Sequence, residues 1–172
     1  EALTRGHGLS DEYSNGNGSL MRILPLAFTA AGPSDIEAVS SITHAHATSV
    51  EACQLYVDIA RRLLKGEQLS EILSGLETSK TFARLQTLAE LTEEDIRSTG
   101  YVVDTLEAAL WCLMTSTSYP ETVLKAVNLG DDTDTVAAVA GGLAGIIYGL
   151  EGIPDNWLAQ LRNKELLESC LF

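Results

Sequence analysis

The run from Val136 to Leu150 contains no charged residue, and that constrains the chain more than any other feature. A helix that crosses a bilayer needs ~20 consecutive apolar residues, and this run is shorter. Its wealth of alanine and glycine suits a helix packed closely against other helices instead. The segment 133–150 is therefore expected to be a helix of small residues, with Gly141, Gly142 and Gly145 letting a neighbour approach closely.

The rest of the chain repeats the helical signal. Leu69, Ile72, Leu73 and Leu76 recur at helical spacing, as do Phe82, Leu85 and Leu88, giving two short amphipathic segments within 68–92. Leu106, Leu110 and Leu113 form the buried stripe of a helix over about 104–115. A first helix is expected over about 19–31, kinked at Pro25, which lacks the N–H an interior residue donates. Ser34-Asp35-Ile36-Glu37 and Thr48-Ser49-Val50-Glu51 have capping-box spacing. They open helices ending near His44–His46 and at Leu64, the latter with Gly66 as its stop. Ser118-Tyr119-Pro120-Glu121 opens a helix that stops at Gly130, and a last helix covers about 154–167. No run alternates with a period of two. The expected fold is all-α, a compact multi-helix single domain over 1–172, a length within the ~100–200 residues common for one domain.

Eleven basic residues against 24 acidic ones leave a net charge of −13. That excess argues against binding a nucleic-acid duplex, which relies on basic patches to displace phosphate counterions. It suits a site that gathers carboxylates around a cation. Cys53, Cys112 and Cys170 are scattered, with no C-x-x-C pair, and read as buried thiols in a reducing compartment. With no signal peptide visible at Glu1–Arg5 and no spanning segment, the expectation is a cytoplasmic protein off the membrane.

Chemistry concentrates in three places. Asp131, Asp132 and Asp134, interleaved with Thr133 and Thr135, crowd three carboxylates into four positions. They are either the cap and first turn of the following helix or hard oxygen ligands for Mg²⁺ or Mn²⁺; spacing leaves both open. Ser14-Asn15-Gly16-Asn17-Gly18-Ser19 is either a connecting loop or a backbone cradle for an anion ahead of a helix N-terminus. It is neither a Walker loop nor a dinucleotide fingerprint. Arg22, in the helix that follows, reads as a structural ion-pairing residue. His44 and His46, two apart, cannot both grip one ion from a regular helix; each is either a capping or buried histidine or a ligand-facing one. Gly-x-Ser-x-Gly is absent.

Four segments occur in order: Ser14–Arg22, Ile42–His46, Gly100–Trp111 and Asn128–Gly141. Together they resemble the ADP-ribosylglycohydrolase family, which includes dinitrogenase reductase-activating glycohydrolase and crystallin J1-like proteins. The resemblance spans nearly the whole chain. It implies an all-α fold, two Mg²⁺ or Mn²⁺ ions, and hydrolysis of the glycosidic bond joining ADP-ribose to a protein side chain or small acceptor. It makes Asp132, Asp134 and Thr135 metal ligands, with Asp131 a neighbour. It assigns Ser14, Asn15, Gly16 and Asn17 to the loop that receives the diphosphate and adjoining ribose, with Asn15 standing where some relatives have Tyr. His44 falls near the ADP-ribose, with His46 a weaker match, and Tyr101 approaches the substrate. The family's Gly-Asp motif, catalytic acid and Thr-Asp-Asp triplet have no counterpart here, so the catalytic residue is expected in an absent N-terminal section. On that expectation the chain resembles the C-terminal portion of a member. It would bind at most one ion loosely, and pair with a complementing N-terminal segment or self-associate. The alternative is a truncated, non-catalytic helical module that binds ADP-ribose weakly or is only structural.

Overall fold

The computed structural model describes residues 7–170. Among them regular structure is helical, joined by two isolated β-bridges, in agreement with the all-α expectation. The elements are α1 (Leu20–Ile23), a 3₁₀ turn (Leu24–Phe28), α2 (Pro33–Ser41), α3 (Ala47–Leu64), α4 (Leu69–Ser74), 3₁₀ segments (Lys80–Glu90 and Glu93–Asp95), α5 (Val102–Met114), α6 (Tyr119–Asn128), α7 (Thr133–Tyr148), a 3₁₀ turn (Leu150–Gly152), α8 (Asp155–Gln160) and α9 (Lys164–Cys170).

Helix α3 lies at the centre. Its Ala52, Cys53, Val57, Ile59 and Ala60 are fully buried and meet α5 and α7. From α5 come Val102, Leu106, Ala109 and Leu110, and from α7 Val136, Ala140 and Leu143, all fully buried. Tyr56 donates its hydroxyl to the Val139 carbonyl at 2.8 Å, so a buried polar atom is satisfied where α3 crosses α7.

The small residues of α7 act unequally. A Cβ at Gly142 would lie 2.7 Å from Leu24 Cδ2 and 2.9 Å from Tyr56 Oη, whereas one at Gly145 would meet nothing within 4 Å. Close approach thus runs through Gly142 and, more loosely, Gly141, where a Cβ would lie 3.3 Å from Tyr119 Oη; contrary to the expectation, Gly145 takes no part.

Several helix ends shift from their expected places. Proline at the first position of α2 fixes φ there and has no N–H to satisfy, so the helix begins at Pro33. The box that closes it uses the Asp35 carboxylate, which accepts from Gly32 N at 2.7 Å, in place of Ser34 and Glu37. Helix α2 ends at Ser41, before the histidines. Helix α3 is capped by His46, whose Nδ1 accepts from Thr48 N at 3.2 Å, in place of the Thr48–Glu51 box. Ser118 caps α6 as expected, accepting from Glu121 N at 3.3 Å. Gly66 and Gly130 take the positive φ that ends α3 and α6. The helix expected over 19–31 is an α-helix for only one turn before Pro25 tightens it to 3₁₀. The one expected over 154–167 breaks after Gln160, with Asn163 at φ +55°. Cys170 on α9 is exposed, unlike the buried Cys53 and Cys112.

Candidate functional site

The loop before α1 is pinned from two sides. On one, Leu9 N donates to Thr43 O at 3.3 Å and Ala45 N to Leu9 O at 2.8 Å, a parallel bridge to His44. A Cβ at Gly8 would overlap the Thr43 carbonyl, so only glycine admits this approach. On the other side, Asn17 N donates to Gly100 O at 3.1 Å and Val102 N to Asn15 O at 2.9 Å, an antiparallel bridge between Gly16 and Tyr101. The segments around residues 14–17, 44 and 101 therefore meet at one place.

Within the loop the side chains divide their work. Asn15 is buried and turned inward: Nδ2 donates to Glu12 O at 2.9 Å, and Oδ1 accepts from Ser49 Oγ at 3.0 Å. Its carboxamide holds the loop onto α3. Asn17 is also buried, but its Nδ2 donates to Thr105 Oγ1 at 2.8 Å and to Asp132 Oδ2 at 2.6 Å. This joins the loop to the acidic start of α7. Ser14 is half-buried, with its N–H on Asp11 O at 3.0 Å. The α-helix that follows has only four residues, so it brings little of the macrodipole that a longer helix would offer an anion.

His44 packs its imidazole against Gly16 and Gly18, where a Cβ would come within 3.2 Å and 3.1 Å of the ring. Arg22 Nη1 donates to Thr43 Oγ1 at 2.7 Å, and that oxygen lies 2.8 Å from His44 Nδ1. Burial, then the nearby Arg22 guanidinium, lowers the His44 pKa and favours the neutral ring. Arg22 is thus structural through a hydroxyl; it forms no ion pair among the described residues. His46 serves as the α3 cap.

Tyr101, at the N-cap of α5, is 41% exposed. It borders an open cleft of about 460 Å³ shared with Glu12, Tyr13, Asn15, Gly16 and Gly100. Burial, with Asp104 adding to it, raises its phenol pKa. A larger groove of about 900 Å³ lies by α3, lined by Glu37, Glu51, Leu55, Asp58, Leu76 and Glu77 among others; it takes none of the residues assigned to the site.

At α7 the three aspartates take different roles. Gly130 and Asp131 adopt φ +89° and +53°, and Asp132 N donates to Ser98 O at 3.0 Å. Asp132 occupies the N-cap position, yet its side chain makes no capping bond; it accepts from Asn17. Asp134 is exposed, with no hydrogen bond or ion pair among the described residues. Thr135 is buried, its hydroxyl 3.7 Å from Met21 Sδ. Among the described residues no three His, Cys, Asp or Glu side chains gather as a metal-binding group. Two carboxylates and a hydroxyl share the first turn of α7.

Several supporting residues escaped the sequence reading. Thr105, Thr43, Ser49 and Ser98 orient the site through single hydroxyls or carbonyls, and spacing along the chain carries no signal for such contacts. Thr105 does lie within the Gly100–Trp111 segment.

Comparison with known proteins bears on the family and the fold. A family model described as ADP-ribosylglycohydrolase matches residues 1–171. An ADP-ribosylarginine hydrolase of Pseudomonas putida (strain GB-1) is 37% identical over 163 residues, covering 90% of this chain and 44% of that protein. The ADP-ribosyl-[dinitrogen reductase] glycohydrolase of Rhodospirillum rubrum is 32% identical over 158 residues, covering 89% and 53%. A solved chain of an ADP-ribosylglycohydrolase-related protein complex matches with a TM-score of 0.79 and 32% identity, covering 93% of this chain and 59% of that one. The chain spans about half the length of the curated relatives it matches. By its sequence match and its helical fold, the chain belongs to the ADP-ribosylglycohydrolase family.

Proposed function

We propose that this chain forms the ADP-ribose-facing part of a metal-dependent hydrolase that cleaves the glycosidic bond of ADP-ribosylated protein side chains or small ADP-ribose conjugates. The observation that carries the reading is the convergence at Asn17. Its loop touches the Tyr101 segment through the backbone and His44 through Gly16, and its side chain reaches Asp132. Four segments far apart in the chain thereby face one region. Arginine-linked ADP-ribose is the first substrate to test, because relatives at 37% and 31% identity are named ADP-ribosylarginine hydrolases.

The donor chemistry at the start of α7 fits a hard divalent cation. Asp132, Asp134 and Thr135 supply two carboxylates and a hydroxyl, the oxygen ligands that Mg²⁺ and Mn²⁺ prefer. These three residues would hold the ion, with Asp134 the most accessible. When bound, such an ion supplies Lewis-acid polarisation and orients oxygen groups of the substrate. The chain's own contribution is placement: the neutral His44 ring against the loop, the Tyr101 phenol beside the cleft, and an Asp132 carboxylate held by an amide.

A second reading is a helical module that binds ADP-ribose without turning it over. One observation favours it: Asp132 already uses one oxygen on Asn17 at 2.6 Å, leaving less for a cation. Calorimetric titration of the chain with ADP-ribose, with and without Mn²⁺, tests both. Binding strengthened by Mn²⁺ supports the hydrolase reading. Binding indifferent to Mn²⁺ supports the module, and no binding of either ligand removes both. Asp134→Ala is expected to abolish the Mn²⁺ effect, and any Mn²⁺-dependent release of ADP-ribose from modified arginine, with the melting temperature unchanged.

A further inference from the structure

We propose that Thr105 is a positioning residue that fixes which way round Asn17 presents its carboxamide to Asp132. Thr105 is fully buried on α5. Its Oγ1 lies 3.0 Å from the Thr99 carbonyl oxygen and 2.8 Å from Asn17 Nδ2. A carbonyl only accepts, so the single hydroxyl proton of Thr105 goes to Thr99. Toward Asn17 the same oxygen can then only accept, and the amide must turn an N–H to it. The second N–H of that nitrogen is left for Asp132 Oδ2.

The reversed amide would set Asn17 Oδ1 against the Asp132 carboxylate and against a hydroxyl that could donate to it only by giving up the Thr99 carbonyl. The bond to Asp132 and one of the two at Thr105 would be lost, and a buried Asn17 or Thr99 acceptor left unsatisfied is costly. Thr99 is itself anchored: its Oγ1 donates to Asp104 Oδ2 at 2.7 Å and accepts from Tyr101 N at 3.2 Å. The first turn of α5, which carries Tyr101, thus sets the orientation of an amide on the loop and, through it, of Asp132. That Asp132 so oriented serves ligand binding rests on the proposed function; the orientation itself does not.

The test uses the ¹⁵N-labelled chain, reading the assigned side-chain amide signals of Asn17 by NMR and ADP-ribose affinity by calorimetry. In the parent protein the two Nδ2 protons should be well separated and slow to exchange with solvent. Thr105→Val should keep a cooperative melt, lose that signature, and weaken ADP-ribose binding roughly tenfold, the scale of one charge-assisted hydrogen bond. Thr105→Ser, which keeps the hydroxyl, should restore both. Unchanged Asn17 signals in Thr105→Val overturn the proposal whatever the affinity does, and so does a serine variant no better than valine. Should valine prevent folding, the parent spectrum decides: Asn17 amide protons that exchange like those of an exposed side chain overturn the lock. Absence of ADP-ribose binding by the parent chain would count against the proposed function alone, with the Asn17 signals still deciding the role of Thr105.

Discussion

Asn17 Nδ2 donates to Asp132 Oδ2 at 2.6 Å, joining residues 115 positions apart in the chain. The contact ties the glycine-rich loop to the first turn of α7. It also explains why Asp132 stands at a helix N-cap without capping. Its carboxylate is turned toward the loop and away from the orphan N–H groups it would otherwise accept from.

Replacing Asn17 by Asp removes that donor and sets two carboxylates together. At neutral pH the loss should be on the order of 2 kcal/mol from the charge-assisted hydrogen bond alone, with repulsion added. Repulsion raises the pKa of one member of the pair, so the folded variant takes up a proton more readily than the unfolded chain. Stability of Asn17→Asp relative to the parent should therefore recover as pH falls from about 7 to about 5. Thermal melts at both pH values check this; an equal penalty at each would show that the two side chains do not meet.

Helices with a strong periodic stripe and a local cap were legible in the sequence. Helix α6, with Ser118, Pro120 and Gly130, lies where those residues point. Where two caps competed, physical detail decided: Pro33 begins α2 early because it needs no partner for a missing N–H, and Asp35 closes the box in place of Glu37. His46 displaced Thr48 because an imidazole nitrogen also accepts. The site was legible only as named segments. Nothing local to Asn17 or Asp132 encodes a contact across the chain, and Thr105 or Ser49 reads locally as one more helix hydroxyl. The break at Pro25 was legible, but the extent of the 3₁₀ turn that follows was not, since a missing N–H marks where a helix is disturbed and not what replaces it.

Gly142 and Gly145 on α7 should respond in opposite directions to alanine. At Gly145 the new methyl meets open space, and replacing a helical glycine should stabilise by about 1 kcal/mol. At Gly142 it meets Leu24 and the Tyr56 hydroxyl, which is bound to Val139 O and buried. That hydroxyl cannot retreat cheaply, so overpacking of about 1–3 kcal/mol should outweigh the propensity gain. Melting temperatures should move apart, by roughly 2–4 °C for each kcal/mol. A common shift in both variants would contradict the packing of α7 on α3.

The three thiols should separate by reactivity. Burial pushes the Cys112 thiol up to about 12 and raises that of Cys53, and both are sealed in the core, whereas Cys170 is exposed. Thiolate is the reactive form. A colorimetric disulfide reagent should therefore titrate one thiol rapidly in the native chain and the remaining two only after denaturation. Cys170→Ser should abolish the fast phase. Rapid reaction of two or more thiols without denaturant would show that α3 or α5 is not packed as described.

His44 should make the chain acid-sensitive in the range where histidines titrate. Burial, aided by Arg22, lowers its pKa below the ordinary 6.5, so the unfolded chain binds the proton more readily than the folded one. Stability from this group is intact above the ordinary value, declines as pH falls below it, and reaches its lowest level once pH passes the folded value. Carboxylates add their own acid dependence at lower pH, so the informative quantity is a difference between two proteins. His44→Gln keeps a polar side chain without the titration. Between about pH 7.5 and about pH 5.5 the melting temperature of the parent should drop more than that of the variant. The cause can be checked separately by following the His44 ring signals through a pH titration, whose midpoint should lie below that of an unstructured histidine peptide. An equal drop in both proteins, or a midpoint above the peptide's, would mean that the ring is more exposed than its packing against Gly16 and Gly18 requires.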